Sequence, residues 1–222
     1  MARPRDDDAL AGAVRTLEHE IVFGSLMPRE RLVEDDIITR FDTTRHRARR
    51  ILDALVRKGL VRHIPKKGAV VRDFPVREVE ELYDMRQLLQ GEAIRRLPLP
   101  LGRDTAQELE DLHRKHLAAG REGDLMSLFE ANNLFHARLF RETGDETLQE
   151  AIADYARRTH PIRSQGFVDP RYLEEAQNDH AEMIAAGVAG DRARLATLDR
   201  DHMRRPMDRY LGSRRASDRL VG

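Results

Sequence analysis

Residues 26–71 read LMPRERLVEDDIITRFDTTRHRARRILDALVRKGLVRHIPKKGAVV. Pro28 marks a turn, and a short helix is predicted from about Glu34 to Phe41. Thr43 or Thr44 then offers a hydroxyl cap to a further helix. That helix carries Ala48, Ile51, Leu52 and Leu55 on one face and ends at Gly59. Two short β-like runs follow, Leu60–Ile64 and Ala69–Arg72, joined by Pro65-Lys66-Lys67-Gly68 as a basic hairpin tip. Upstream, Leu10, Val14, Leu17, Ile21 and Val22 recur at helical spacing, and Gly24 stops that helix, predicted over 9–24. Three helices and a β-hairpin make a winged helix.

The formal charge of the 222-residue chain is zero, but its distribution is uneven. Residues 1–75 hold 16 Lys/Arg against 12 Asp/Glu, a net of +4, and the remainder is −4. Between residues 40 and 72 there are 11 basic residues, and Asp42 and Asp53 are the only acids. The predicted third helix presents Thr44, Arg45, His46, Arg47, Arg49 and Arg50 in its first two turns, opposite its apolar face. A helix that enters a DNA groove needs this layout, an apolar face to dock on its own domain and donors near its N-terminus for bases and phosphates. Lys66 and Lys67 at the hairpin tip would reach the adjacent backbone, and Gly68 would let the chain come close. A merely solvated helix face is the alternative reading of the same charges.

Beyond Pro75 everything reads as helix. Six segments are predicted, at about 77–96, 103–120, 124–143, 146–164, 171–188 and 191–211, with a polar, frayed tail after Gly212. The fold class is therefore mostly α, a winged helix-turn-helix over 1–75 and an all-helical six-helix bundle over 76–222. The chain has no cysteine, which excludes disulfides, thiolate zinc sites and cysteine nucleophiles. No apolar run reaches the length of a membrane span, and the N-terminus is polar rather than signal-like, so a cytoplasmic protein with no membrane partner is expected.

Three histidines of the helical half fall on inward stripes of three different helices. His136 follows Leu125, Phe129 and Asn132; His180 lies between Leu173 and Ile184; His202 follows Leu195 and Leu198. Asn132 and His136 are four residues apart and share a helix face. Burying an unpaired polar group costs about 1–3 kcal/mol, so inward histidines need partners. A divalent metal would satisfy all three and keep a position open for a ligand. Histidines bonded to one another, to water and to an effector are the alternative. Arg86 lies on the stripe Val79, Leu82, Tyr83, Leu89 and Ala93, and an inward arginine calls for a carboxylate or phosphate. Arg158 and Arg163 flank the stripe Leu148, Ile152, Tyr155, Thr159 and Ile162, and His160-Pro161 would kink that helix.

The stretch 26–71 resembles the winged helix-turn-helix of the GntR family of bacterial regulators. The shared features are a Pro followed by "RL.E", an arginine-rich start of the recognition helix, "L..L...GLV" and the "GA.V" wing. The resemblance implies DNA contacts from Thr44, Arg45, His46, Arg49 and Gly68. This chain departs from the pattern at Arg29, where the family usually has Gly, at Asp42-Thr43 for Gly-Val, and at His46-Arg47 for Thr-Pro. Residues 77–211 resemble the FCD (FadR/VanR-like) effector domain, whose metal site uses an Asp and three His. Asn132 stands at the Asp position, and His136, His180 and His202 match. The matching helix often carries Arg at position 86 with Glu four residues on, where this chain has Gln90. The resemblance implies a homodimeric transcriptional regulator, by default a repressor, acting on a pseudo-palindromic operator in double-stranded DNA. Its effector would be a small organic acid held by Arg86, Arg158 or Arg163 beside a zinc, nickel or manganese ion. A metal-dependent hydrolase and a module that contacts only protein are the competing readings; no HExxH and no acid or base beside the histidines favours the hydrolase.

Overall fold

The structure, a computed structural model, describes residues 4–64 and 68–221, with side-chain surroundings for 8–64, 68–164 and 166–213. The chain divides into two compact units, Met1–Pro75 and Val76–Gly222.

The first unit comprises α1 (Pro4–Val22), β1 (Arg31–Leu32), α2 (Glu34–Arg40), α3 (Arg45–Arg57), β2 (Val61–Ile64) and β3 (Gly68–Val71). Thr44 caps α3, its hydroxyl accepting from the Arg47 amide at 3.4 Å. Ala48, Ile51, Leu52 and Leu55 of α3 are buried against Leu17 and Ile21 of α1 and Ile37 of α2, as the helical period requires. The strands form an antiparallel sheet in the order β1-β3-β2, with Arg31 opposite Val70 and His63 opposite Ala69. The sequence pattern missed β1, because two residues show no alternation. Its formation depends on β3 and on Gly68. At φ 85°, a Cβ on Gly68 would lie 2.5 Å from the Leu32 carbonyl oxygen, so its missing side chain makes room for β1. Arg29 and Asp42, both at positions where the resemblance calls for Gly, have left-handed backbones with φ 71° and 43°.

The second unit contains α4 (Val76–Arg96), α5 (Arg103–Glu122), α6 (Leu125–Arg141), α7 (Glu146–Arg158), a single turn α8 (His160–Arg163), a 3-10 turn (Ser164–Gly166), α9 (Pro170–Ala189) and α10 (Arg192–Val221). Asp124, Asp145 and Asp169 cap α6, α7 and α9 through their side chains, and Gly123 and Gly190 close α5 and α9 in the left-handed conformation. Ile94, Leu97, Leu109, Phe135, Phe140, Met183 and Leu195 form the core. Two differences from the six-helix reading have local causes. The helix expected over 146–164 breaks at Thr159 (φ −100°, ψ 2°). The Thr159 hydroxyl donates to the carbonyls of Tyr155 and Ala156, and Pro161 has no amide to continue the ladder. And α10 runs beyond Gly212 to Val221, where a frayed tail was expected.

Candidate functional sites: a basic groove and a histidine-lined cavity

In the first unit α3, β1 and β2 border an open groove of about 610 Å³, lined by Arg31, Glu34, Asp35, Arg45, Arg49, Asp53, His63 and Gly68 among others. Arg45 donates to Asp35 at 2.7 Å and Arg49 to Glu34 at 2.9 Å, with both guanidinium groups more than half exposed. Exposed ion pairs of this kind are worth about 0–1 kcal/mol, so exchanging the carboxylate for a phosphate costs little. His46 is exposed beside them and Arg47 is half-buried. His63 Nε2 donates to Asp53 Oδ1 at 2.9 Å, and that hydrogen bond holds the imidazole pKa above its usual value. The Thr44 hydroxyl caps the helix as an acceptor, and the small size of Gly68 also serves the approach of Leu32 within the protein. Lys66 and Lys67 lie outside the described residues. Arg31 and His63 face the groove although the sequence pattern did not single them out.

In the second unit, side chains from α4, α6, α7 and α8 enclose a cavity of about 460 Å³. Its walls are mostly apolar, from Phe140, Ile152 and Ala153 for example, and its polar groups are Arg86, Gln90, Asn133, His136, His160 and Arg163 among others. The break at Thr159 is what turns both His160 and Arg163 inward. Arg86 and Arg163 are each 4% exposed. Arg86 Nη1 donates to Thr159 Oγ1 at 3.3 Å, and Arg163 donates to Asn133 and lies over the Phe129 ring. The Nε of each arginine is buried without a hydrogen-bond partner, and among the described residues no carboxylate forms an ion pair with either. Burial and the neighbouring Arg86 lower the Arg163 pKa to about 10. Glu150 also lines the cavity, and Asp199 reaches Arg86 through Gln90. With its amide oriented to satisfy its neighbours, Gln90 accepts from Arg86 Nη2 at 3.2 Å and donates to Asp199 at 3.2 and 3.3 Å. Burial raises the Asp199 carboxyl to about 7, and Arg86 only partly opposes this. Arg158 is not part of the cavity. It is stacked on Tyr155 at 4.8 Å, and Arg157 lines the wall instead.

His136 connects this cavity to a cluster of buried imidazoles. One ligand nitrogen each from His136, His180 and His202 lie within 4.8 Å of one another. His136 Nε2 and His202 Nε2 are 3.2 Å apart. The other His202 nitrogen, Nδ1, meets Asp179 Oδ2 at 3.0 Å, so the carboxylate directs Nε2 toward the cluster. Asp179, which the sequence pattern did not single out, is also gripped by Arg205. Burial alone would raise its pKa, but the hydrogen bonds from His202 and Arg205 outweigh it and hold the carboxylate ionised. Both nitrogens of His180 and Nδ1 of His136 are buried with no hydrogen-bond partner. Burial, reinforced by the neighbouring imidazoles and, for His136, by Arg163 and Arg86, pushes both of them well below the usual histidine pKa. Neutral imidazoles with free lone pairs are the ligand form that a metal requires, so the donor set fits a divalent ion. Asn132, one turn before His136, is 1% exposed and its amide nitrogen is unpartnered.

Comparison with known proteins agrees with both units. Residues 81–205 match the family described as FCD domain, and residues 11–71 match the one described as bacterial regulatory proteins, gntR family. The chain is 23% identical over 198 residues to the HTH-type transcriptional repressor RspR of Escherichia coli (strain K12), a match covering 89% of this chain and 83% of that one. Its fold is shared with a transcriptional regulator GntR from Rhodococcus sp. RHA1 (TM-score 0.75, 19% identity, 91% of this chain and 97% of that chain). It is also shared with McbR/YncC of E. coli (TM-score 0.72, 19% identity, 96% and 99%). Among the described residues no helix is long and apolar enough to cross a membrane. These matches set the hydrolase reading aside: the chain belongs to the gntR family of bacterial regulatory proteins, in the branch that carries an FCD domain.

Proposed function

We propose that this regulator is a homodimeric, ligand-released repressor whose effector is a small organic anion bound in the cavity of the helical unit. The observation that carries this reading is the pair of buried arginines, Arg86 and Arg163, that face a 460 Å³ cavity with no carboxylate paired to either among the described residues. An uncompensated buried cation is costly, and a carboxylate ligand would relieve two at once. Asp199 reaches Arg86 alone, through Gln90, and with its pKa raised to about 7 it offsets that charge only in part at neutral pH. His136, His180 and His202, with Asn132 alongside, would hold a zinc, nickel or manganese ion at the cavity wall, where its charge would help fix a carboxylate.

DNA recognition is assigned to α3 and the groove beside it. Arg45, His46, Arg47 and Arg49 are the groups offered to bases and phosphates, with Arg31 and His63 flanking them and Lys66 and Lys67 expected at the wing tip. Two copies would read the two halves of a pseudo-palindromic operator. The repressor role is supported by RspR, which is described as a repressor.

The test is selection of genomic DNA fragments by the purified full-length protein, followed by affinity and stoichiometry measurements on a recovered fragment. Two chains per site, and weakened binding in Arg45→Ala, are expected. Selection of no sequence, or unaltered affinity in that variant, would overturn the assignment.

A further inference from the structure

Two further imidazoles, one buried and one half-buried, lie beside His180. His113 and His116 are three residues apart on α5 and so share a face, which packs against α9. Their ring centroids are 6.1 and 4.9 Å from that of His180. One ligand nitrogen each from His113, His116 and His180 lie within 4.8 Å of one another, as in the His136 cluster. His116 is fully buried, and neither of its ring nitrogens has a hydrogen-bond partner; His113 is half-buried, and its Nδ1 lacks one too. Among the described residues no hydrogen-bond partner accounts for the burial of these ring nitrogens. Polar groups left unsatisfied in the interior are costly, and their persistence calls for a ligand.

We propose that His113, His116 and His180 form a second divalent-metal position, alternative to the His136–His180–His202 position and sharing His180 with it. The donor set is again all nitrogen, which suits zinc, nickel or copper better than magnesium or calcium. The metal–nitrogen distance of about 2.0–2.1 Å for zinc requires the three rings to close in by small side-chain rotations. His180 decides the relation between the two positions. A neutral imidazole has one N–H and one lone pair, so His180 serves one ion at a time. Stacking of the His180 ring on Phe135, with centroids 4.1 Å apart and planes 16° apart, fixes the plane in which both nitrogens point. The second position reaches the surface through half-buried His113 and the first opens on the cavity through His136, so the pair describes an access route for the ion.

The experiment uses the full-length chain, freed of metal by chelator, with ¹⁵N-labelled histidine, titrated with Zn²⁺. Ring resonances of His113 and His116 are assigned with His113→Ala and His116→Ala. Below one equivalent, His113 and His116 are expected to shift together with His180, and binding is expected to saturate at one ion per chain. The pair variant His136→Ala/His202→Ala, if folded by circular dichroism, is expected to retain one Zn²⁺, which the further changes His113→Ala/His116→Ala remove. Shifts confined to His136, His180 and His202 in the unaltered chain would overturn the proposal, and so would saturation at two ions, since the two positions would then not be alternatives. Shifts at His113, His116 and His180 with none at His136 and His202 would support it while rejecting the cavity-side metal.

Discussion

Asp199 gives a prediction whose size follows from the structure. Its carboxyl is 1% exposed, Gln90 links it to Arg86, and burial lifts its pKa from the ordinary 3.8 to about 7. A shift of that size disfavours the ionised form in the native state by roughly 4 kcal/mol. The native pKa lies above the unfolded one, so the group's favourable contribution is complete only below about pH 4 and is lost as the pH rises through about 7. Between pH 5 and pH 8.5 the loss amounts to about 3 kcal/mol. Asp199→Asn keeps the shape and removes the titration. The difference in unfolding free energy, variant minus wild type, is therefore expected to rise by about 3 kcal/mol from pH 5 to pH 8.5. Urea unfolding of the metal-free proteins at both pH values measures this directly. The histidines titrate in both proteins and cancel in the comparison. A difference that stays constant with pH, or that falls, would refute the description of Asp199 as a carboxyl whose ionisation burial opposes beside Arg86.

Other outcomes follow from the same geometry. Arg45→Ala and Arg49→Ala are each expected to weaken operator binding by roughly 1–3 kcal/mol in fluorescence anisotropy, because the exposed carboxylates they leave behind hold them only weakly. Asp179→Asn removes the carboxylate that orients His202, and a 10–100-fold loss of Zn²⁺ affinity is expected in competition with a chromophoric chelator. At position 29, where φ is 71°, Arg29→Gly is expected to be more stable than Arg29→Ala by about 1 kcal/mol in thermal unfolding. Both variants lose the contact with Asp73, so the comparison isolates the backbone. Elemental analysis of untagged protein purified without chelator is expected to give close to one zinc, nickel or manganese ion per chain.

The elements most legible in the sequence are those specified locally. The core face of α3 follows from the spacing of Ala48, Ile51, Leu52 and Leu55, and its start from the Thr44 hydroxyl. The inward placement of Arg86, His136, His180 and His202 follows from helical stripes that the packing preserves. Reading failed where a local break or a distant partner decides the outcome. Extending the helical period of α7 through Thr159 put Arg158 near the cavity, whereas the face that reaches it is Gln149, Ala153, Ala156 and Arg157. The β1 strand and the task of Gly68 each need the other segment to be present, so neither carries a signal of its own. His113 and His116 do carry one, two histidines three apart on a predicted helix, but its meaning depends on α9 bringing His180 beside them. Asp199 is one turn before His202 and reads as an ordinary helical acid until Gln90 and Arg86 surround it.

The most direct test of an anion-sensing cavity coupled to DNA is the operator affinity of metal-loaded protein with and without malonate, succinate, malate or citrate. At least one of these carboxylates is expected to weaken binding by about fivefold or more, within the usual range of allosteric coupling, and Arg86→Ala is expected to bind the operator normally and ignore it. Operator affinity indifferent to every carboxylate, or a full response in Arg86→Ala, would contradict the cavity's role as the sensor.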